Sequence, residues 1–144
     1  MKKRNLIVVF AFVLVLAGCQ ELIGSFSANL GGTSWDANVS GAVKSNGHYV
    51  ITANKGNATL ILTVSGTSVG TYNVNPLDST FEAVAYTPDY NNAANSYVST
   101  QGVVDLTKVS SNRLTGTFNV WAKHSISPYD SIPITGQFSN ILSN

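Results

Sequence analysis

The chain is poor in the residues that most often carry chemistry. Its 144 residues include one cysteine and two histidines, and only 10% of them are charged. A single cysteine cannot form a disulfide within one chain, so an apolar core has to hold the fold together. Three of the eight basic residues lie within the first four positions. The other five form no patch, and we therefore expect no nucleic-acid partner.

The potential ligands and nucleophiles do not form a recognisable site. A zinc site needs three or four ligands from His, Cys, Asp or Glu, and neither His48 nor His124 has a second histidine at ligand spacing. The acidic residues beyond position 25 are scattered, several of them beside predicted turns. No serine lies in a nucleophile-elbow motif. We expect no metal, no cofactor and no enzymatic activity.

The start of the chain has the pattern of an export leader. Lys2, Lys3 and Arg4 precede an apolar run over residues 6–16, and two small residues then lead to Cys19. The run is well short of the ~20 apolar residues that a transmembrane helix needs. A charged start, a short apolar middle and a small-residue exit indicate a secretory signal peptide.

The motif Leu16-Ala17-Gly18-Cys19 resembles the lipobox of bacterial lipoproteins. The resemblance implies cleavage before Cys19, a diacylglycerol on its thiol, and a membrane as the partner of the acylated residue. It divides the chain into a signal peptide over 1–18, a lipidated tether over 19–25 and a single β domain over 26–144. Gln20 in the next position is typical of outer-membrane lipoproteins, whereas the side of the membrane that the domain faces stays open.

From Phe26 onward, apolar and polar residues alternate with a period of two, as they do in half-buried strands. Turn residues separate the alternating segments, and no segment keeps a helical period over three turns. The segment from Pro76 to Tyr86 fits a strand or a short helix, of which we favour the strand. Pro133 predicts an edge position for the strand over 132–138, since proline lacks the N–H that a central strand needs.

These patterns predict an all-β fold, an antiparallel meander of about nine or ten short strands that forms a sandwich or a flattened barrel. Strands are predicted around 26–30, 34–39, 49–53, 59–64, 70–74, 96–100, 104–106, 114–122 and 132–138. The predicted inward-facing set consists of Leu60, Leu62, Val64, Val104, Leu106, Leu114, Phe118 and Val120.

Short glycine and aromatic motifs follow one another along the β domain. They are Gly32-Thr33-Ser34-Trp35, Gly70-Thr71-Tyr72, Tyr97 with Ser99, Thr100 and Gly102, Gly116-Thr117-Phe118, and Ile134-Thr135-Gly136 ahead of Phe138. Behind a lipobox, this order resembles a family of small lipoproteins of unknown function from Gram-negative bacteria. The resemblance covers about residues 26–142. It implies an all-β lipoprotein and brings no activity or site.

Four aromatic residues are the candidates for contact with a ligand. Tyr86 and Tyr90 flank one long predicted loop, and Trp121 and Tyr129 flank another. Trp121 falls on the strand face opposite Phe118, so it should point away from the main core. An exposed aromatic ring can stack on a sugar or a partner surface. The alternative is that Trp121 packs beneath a loop or against an edge.

The sequence thus favours a lipid-anchored, non-catalytic module of the cell envelope that binds an unknown protein or glycan. The alternative is a lipocalin-like carrier of a small apolar ligand. Bulky inward residues speak against the carrier, because a small barrel fills itself with such side chains. An enzyme is a third possibility, which no cluster of residues supports.

Overall fold

The computed structural model describes residues 24–74, 83–127 and 129–144, so the lipobox and most of the predicted tether lie outside the described residues. The described residues form one sheet of ten strands, and the predicted all-β class is confirmed. The strands are β1 Ser25–Leu30, β2 Thr33–Asp36, β3 Val39–Ser45, β4 His48–Lys55, β5 Ala58–Val64, β6 Gly70–Val74, β7 Ala83–Thr87, β8 Tyr97–Val109, β9 Arg113–His124 and β10 Ser131–Leu142.

Nine of the ten strands lie in the order β2-β1-β10-β9-β8-β7-β5-β4-β3, and β6 pairs with β8 off this path. Every pairing of named strands is antiparallel. The sheet curls into a half-barrel. The pairing of β10 with β1 ends at Ser139, opposite the first residue of β1. Next to it, near Asn140 with a φ of 57°, a bulge shifts the register of β10 with β9. The chain then reaches β3, where Lys44 N donates to Asn144 O at 3.0 Å and Asn144 N donates to Ala42 O at 3.1 Å.

The core lies on the inner face of this curled sheet. Every residue of the predicted inward-facing set is at most 2% exposed, which confirms that set. The ring of Phe26 lies 5.5 Å from that of Phe118 and 6.1 Å from that of Phe138, centroid to centroid. Large aromatic rings bury more apolar area than other side chains, so these three provide much of the hydrophobic stabilisation.

Two glycines make room for these rings. Gly136 lies directly across from Phe118, and Gly116 directly across from Phe138, on the paired strands β10 and β9. A Cβ on Gly136 would stand 2.4 Å from Phe118 Cζ, and one on Gly116 would stand 2.6 Å from Phe138 Cζ. Each phenyl ring therefore occupies the space that a side chain on the opposite strand would need.

The prediction that Pro133 marks an edge strand is wrong, because β10 lies between β1 and β9. The N–H and C=O of one residue in an antiparallel strand point to the same neighbour. The carbonyl of Pro133 accepts a hydrogen bond from Gly31 N at 2.9 Å. Its nitrogen therefore also faces the β1–β2 turn, beyond the end of β1 at Leu30, and no hydrogen bond to β9 is lost.

Other differences concern where strands begin and end. The predicted strand over 34–39 is divided, since β2 ends at Asp36 and β3 begins at Val39. The β3–β4 hairpin turns at Asn46-Gly47, a turn that was not predicted from the sequence. Both residues have positive φ, 50° and 78°. Residues 83–87 form β7, whereas 75–82 lie outside the described residues.

The strands predicted over 96–100 and 104–106 are one strand, β8. A bulge interrupts its register with β9 between Ser99 and Gln101, next to Gly102 with a φ of 131°. On its other side, the first part of β8 pairs with β7 and the second part with β6. The single long strand β8 thus pairs with two strands, β7 and β6, along the same edge.

Candidate functional site

The half-barrel has two ends, which differ in the residues and loops that lie there. Gly24 precedes β1, whose first residue Ser25 pairs with Ser139 near the finish of β10. The loops over 88–96 and 125–130 lie at the opposite ends of their strands, where β10 begins. The part of β10 from Ser131 to Ser139 separates these two ends by roughly 26 Å, at about 3.3 Å per residue. They are called the Gly24 end and the loop end below.

At the loop end, hydrogen bonds join the two long loops. Tyr97 Oη donates to Asp130 Oδ2 at 3.0 Å, and Ser125 N donates to Ser96 O at 2.8 Å. His124 Nδ1 accepts from the backbone N–H groups of Ile126 and Ser127, at 3.3 and 3.1 Å.

The other ring nitrogen of His124, Nε2, bonds Asn95 Oδ1, so Nε2 carries the proton. Both ring nitrogens of His124 are therefore used in holding the loops together.

Of the four candidate aromatic residues, Tyr86 is half-buried on β7 and belongs to a row of rings. Its ring lies 6.4 Å from Trp35 on one side and 6.4 Å from Tyr97 on the other. Burial raises the pKa of the Tyr86 hydroxyl above its ordinary value of 10.0. Tyr90 and Tyr129 lie at the loop end, where Tyr90 is 60% exposed and Tyr129 fully exposed.

Trp121 lies on the outer face of β9. It is 45% exposed, whereas its neighbours Val120 and Ala122 are buried. Across the sheet it pairs with Pro133 on β10 and with Gln101 on β8. Its ring thus stands on the solvent side of the central strands, in the half of β9 that leads to the loop end.

The same outer face carries a groove of about 740 Å³ beside Trp121. Its side chains form two cross-strand rows over β2, β1, β10, β9 and β8, which we call the upper rung and the lower rung. The upper rung, nearer the loop end, consists of Ser34, Asn29, Thr135, Asn119 and Val103. The lower rung consists of Asp36, Ser27, Gln137, Thr117 and Asp105.

The two rungs are almost entirely polar and carry only negative charge. Val103 is the one apolar residue of the ten, and the lining of the groove includes no lysine or arginine. Asp36 and Asp105 occupy opposite ends of the lower rung, and Asp105 Oδ1 accepts a hydrogen bond from the Thr71 hydroxyl of β6. Trp121 lies two residues beyond Asn119 on the same face of β9, so it borders the upper rung.

Residues 23–141 match the model of a family described as a domain of unknown function, DUF6252. The chain belongs to the DUF6252 family. No curated protein and no solved structure matches the chain. The match covers nearly all of the predicted β domain, so the family definition and the fold describe the same unit.

Within the described part of this DUF6252 domain, no group of three or more His, Cys, Asp or Glu side chains could hold a metal ion. The described residues also include no helix that is long and apolar enough to span a membrane. The groove itself offers hydrogen-bonding side chains and two carboxylates, and the indole ring of Trp121 lies at its border.

In the DUF6252 domain, Trp121 as a ligand contact stays a prediction from the sequence, and the rungs beside it were not predicted. The outward direction of Thr117 and Asn119 was readable, because both alternate with buried residues along β9. What brings them beside Ser27, Asp36 and the others is the strand order, in which β1 and β10 pair although they open and close the domain. Local alternation carries no information on that pairing.

Proposed function

We propose that this DUF6252 domain is a lipid-anchored, non-catalytic module of the bacterial cell envelope that binds a glycan on its outer face. The observation that carries the glycan assignment is the groove with its two polar rungs beside the exposed ring of Trp121. Sugars offer many hydroxyl groups and an apolar ring face. Ser, Thr, Asn and Gln side chains can donate hydrogen bonds to the sugar hydroxyls and accept hydrogen bonds from them. An indole ring packs on the apolar face of the sugar ring.

The anchor part of the proposal is supported by Leu16-Ala17-Gly18-Cys19 and by the position of Gly24 directly before β1. Gly24 lies only five residues after Cys19, so at ~3.3 Å per residue the domain sits within about 17 Å of the acylated residue. Two or more acyl chains anchor a protein stably, because each buried CH₂ contributes about 0.8 kcal/mol. The loop end, with Tyr90 and Tyr129, lies at the far end of the strands from this attachment.

The packing of the inner face favours binding on the outer face of the half-barrel. The carrier alternative needs an apolar cavity of several hundred Å³. Here the rings of Phe26, Phe118 and Phe138 pack against one another on the inner face, and two of them press on opposite glycines. This close packing on the inner face favours the outer groove over an interior cavity as the binding site.

Binding is tested with the full chain, purified in detergent and applied to an array of bacterial and plant glycans. We expect at least one class of oligosaccharide to bind, and Trp121→Ala to weaken that binding tenfold or more, equal to about 1.4 kcal/mol. The melting temperature should stay within about 2 °C of the wild type, because the ring stands outside the core. Val43→Ala removes an exposed side chain from the outer face of β3 and should leave binding unchanged.

Two results would refute the glycan assignment. One is an array on which no glycan binds. The other is a bound glycan whose affinity is the same in Trp121→Ala. If crosslinking in intact cells then captured a protein on the outer face of β9, the partner would be a protein instead.

The anchor is tested by intact-mass measurement of the protein from its native host. We expect a chain that begins at Cys19 and carries the added mass of acyl chains, and we expect Cys19→Ser to remove both changes. A bare thiol, or a retained leader in the wild type, would refute the anchor while leaving the groove assignment intact.

A further inference from the structure

We infer that the groove binds a sugar chain laid across the strands, and that its two carboxylates select neutral or amine-bearing sugars over acidic ones. The inference deepens the proposed glycan function and depends on it. It adds the direction of the chain, its length class and the charge of its units.

The direction follows from the rungs. Neighbouring strands lie about 4.8 Å apart, so a rung over five strands extends for about 19 Å. Along a strand, the two rungs are only two residues apart, about 7 Å. The polar surface is therefore long across the strands and narrow along them, which suits an extended chain of several sugar units rather than one monosaccharide.

The chemistry of the rungs matches sugar hydroxyls. At the centre of the groove, Gln137 and Asn119 each offer an amide donor and an amide acceptor, and Thr117 offers a hydroxyl that does both. These three side chains point outward from exposed positions on β10 and β9. A row of groups that both donate and accept can follow a hydroxyl-rich chain along its length, with Trp121 as the stacking surface at its border.

The charge selection follows from Asp36 and Asp105. They stand at opposite ends of the lower rung, and the groove lining contains no cationic side chain to offset them. A uronate or sulfated chain would bring further negative charge to both ends and be repelled, whereas an ammonium group would be attracted. Because the groove is open to solvent, we expect this selection to weaken as salt is added.

The experiment compares three hexasaccharides by calorimetry on the full chain in detergent: glucosamine, N-acetylglucosamine and galacturonate oligomers. The glucosamine oligomer should bind several-fold more tightly than its neutral N-acetylated counterpart at low salt. The galacturonate oligomer should bind at least tenfold more weakly than the neutral one. Gln137→Ala should weaken the first two alike, since it removes hydrogen bonds and no charge.

The double variant Asp36→Asn, Asp105→Asn should bring the amine-bearing and neutral chains to within about twofold of each other. Asp89→Asn removes a carboxylate at the loop end, where Asp89 caps a 3₁₀ turn, and should leave the order unchanged. Galacturonate binding as tight as that of the neutral chain would overturn the inference, as would a double variant with the wild-type order.

The failure of this inference is separable from that of the proposed function. If none of the three chains binds, while Trp121→Ala abolishes binding of another glycan from the array, the groove binds sugars but the stated class is wrong. If no glycan binds at all, both fail.

Discussion

At the scale of single residues, Gly136 is a position where one added carbon atom should lower stability. A Cβ there would stand 2.4 Å from Phe118 Cζ and 2.5 Å from the backbone oxygen of Ser27. A ring can tilt, but the backbone of a paired strand cannot move without breaking its ladder. Gly136→Ala should therefore lower the free energy of unfolding by about 1–3 kcal/mol, the range for overpacked cores.

Chemical denaturation checks this value, and the chain offers a matched control. Gly41 lies in β3 with open space around its would-be Cβ, so Gly41→Ala should be neutral or stabilise slightly, since alanine has fewer unfolded conformations. Equal effects of the two substitutions would contradict the close packing of Phe118 on Gly136.

The ring of Phe118 is the complement of that glycine. It is 2% exposed and packs on Phe26 as well as on Gly136. Phe118→Ala removes a large buried side chain and leaves a cavity, so we expect a loss of about 3–5 kcal/mol. Urea unfolding provides the measurement. Asn119→Ala, on the exposed face next to it, should cost far less, and a loss below 1 kcal/mol in Phe118→Ala would refute the assigned inner face.

At the scale of elements, the β3–β4 hairpin is determined by its turn. Asn46 and Gly47 both have positive φ, as a two-residue type I′ turn requires. Nothing lies within 4 Å of a Cβ built on Gly47, so its substitution tests backbone conformation alone. Gly47→Ala should cost about 1–2 kcal/mol, the penalty for a left-handed non-glycine residue.

Asn46→Gly is the counterpart in the same turn. Glycine adopts the left-handed region freely, so this variant should keep the hairpin and change stability by a few tenths of a kcal/mol. Both variants are measured by thermal and urea unfolding. If Gly47→Ala had no effect, the turn would not have the positive φ values described.

The hairpin turn, β8 and the strand with Pro133 differ in how far a local sequence pattern predicts them. Asn-Gly is a strong hairpin signal, and its position was readable in the sequence. The single strand β8 was not, because a bulge at Ser99–Gln101 breaks its alternation, so that it reads as two shorter strands. The edge position predicted from Pro133 was wrong for a related reason. A proline is excluded from a central strand only where its nitrogen faces a paired strand. That direction depends on which neighbour the strand has on each side.

At the scale of the whole molecule, Tyr97 connects β8 to the loop over 125–130. Burial raises the pKa of its hydroxyl above 10.0, and the hydrogen bond to Asp130 and the charge of that carboxylate raise it further. Below pH 10 the hydroxyl keeps its proton in both the folded and the unfolded chain. As the pH rises past 10 the unfolded chain loses this proton first, so stability falls with rising pH.

Tyr97→Phe removes this hydroxyl but retains the ring that lies against Tyr86 and His124. We expect the urea midpoint of the variant to fall less steeply than that of the wild type between pH 9 and 11. Tyr129→Phe, at a fully exposed position, should follow the wild-type curve. Identical slopes for Tyr97→Phe and the wild type would show that the Asp130 contact has no effect on the loop end.

The sequence by itself determined the class of the fold, the inner faces of its strands and the outward direction of Trp121. Each of these depends on alternation along one strand, which is a local property. Only the tertiary structure decided that β1 lies against β10, that β8 serves two partners, and that side chains from five strands line one groove beside Trp121. Those results depend on pairings between segments as far apart as residues 27 and 137. Such pairings depend on how the whole sheet curls to bury its inner face, so the sequence of one segment does not specify them.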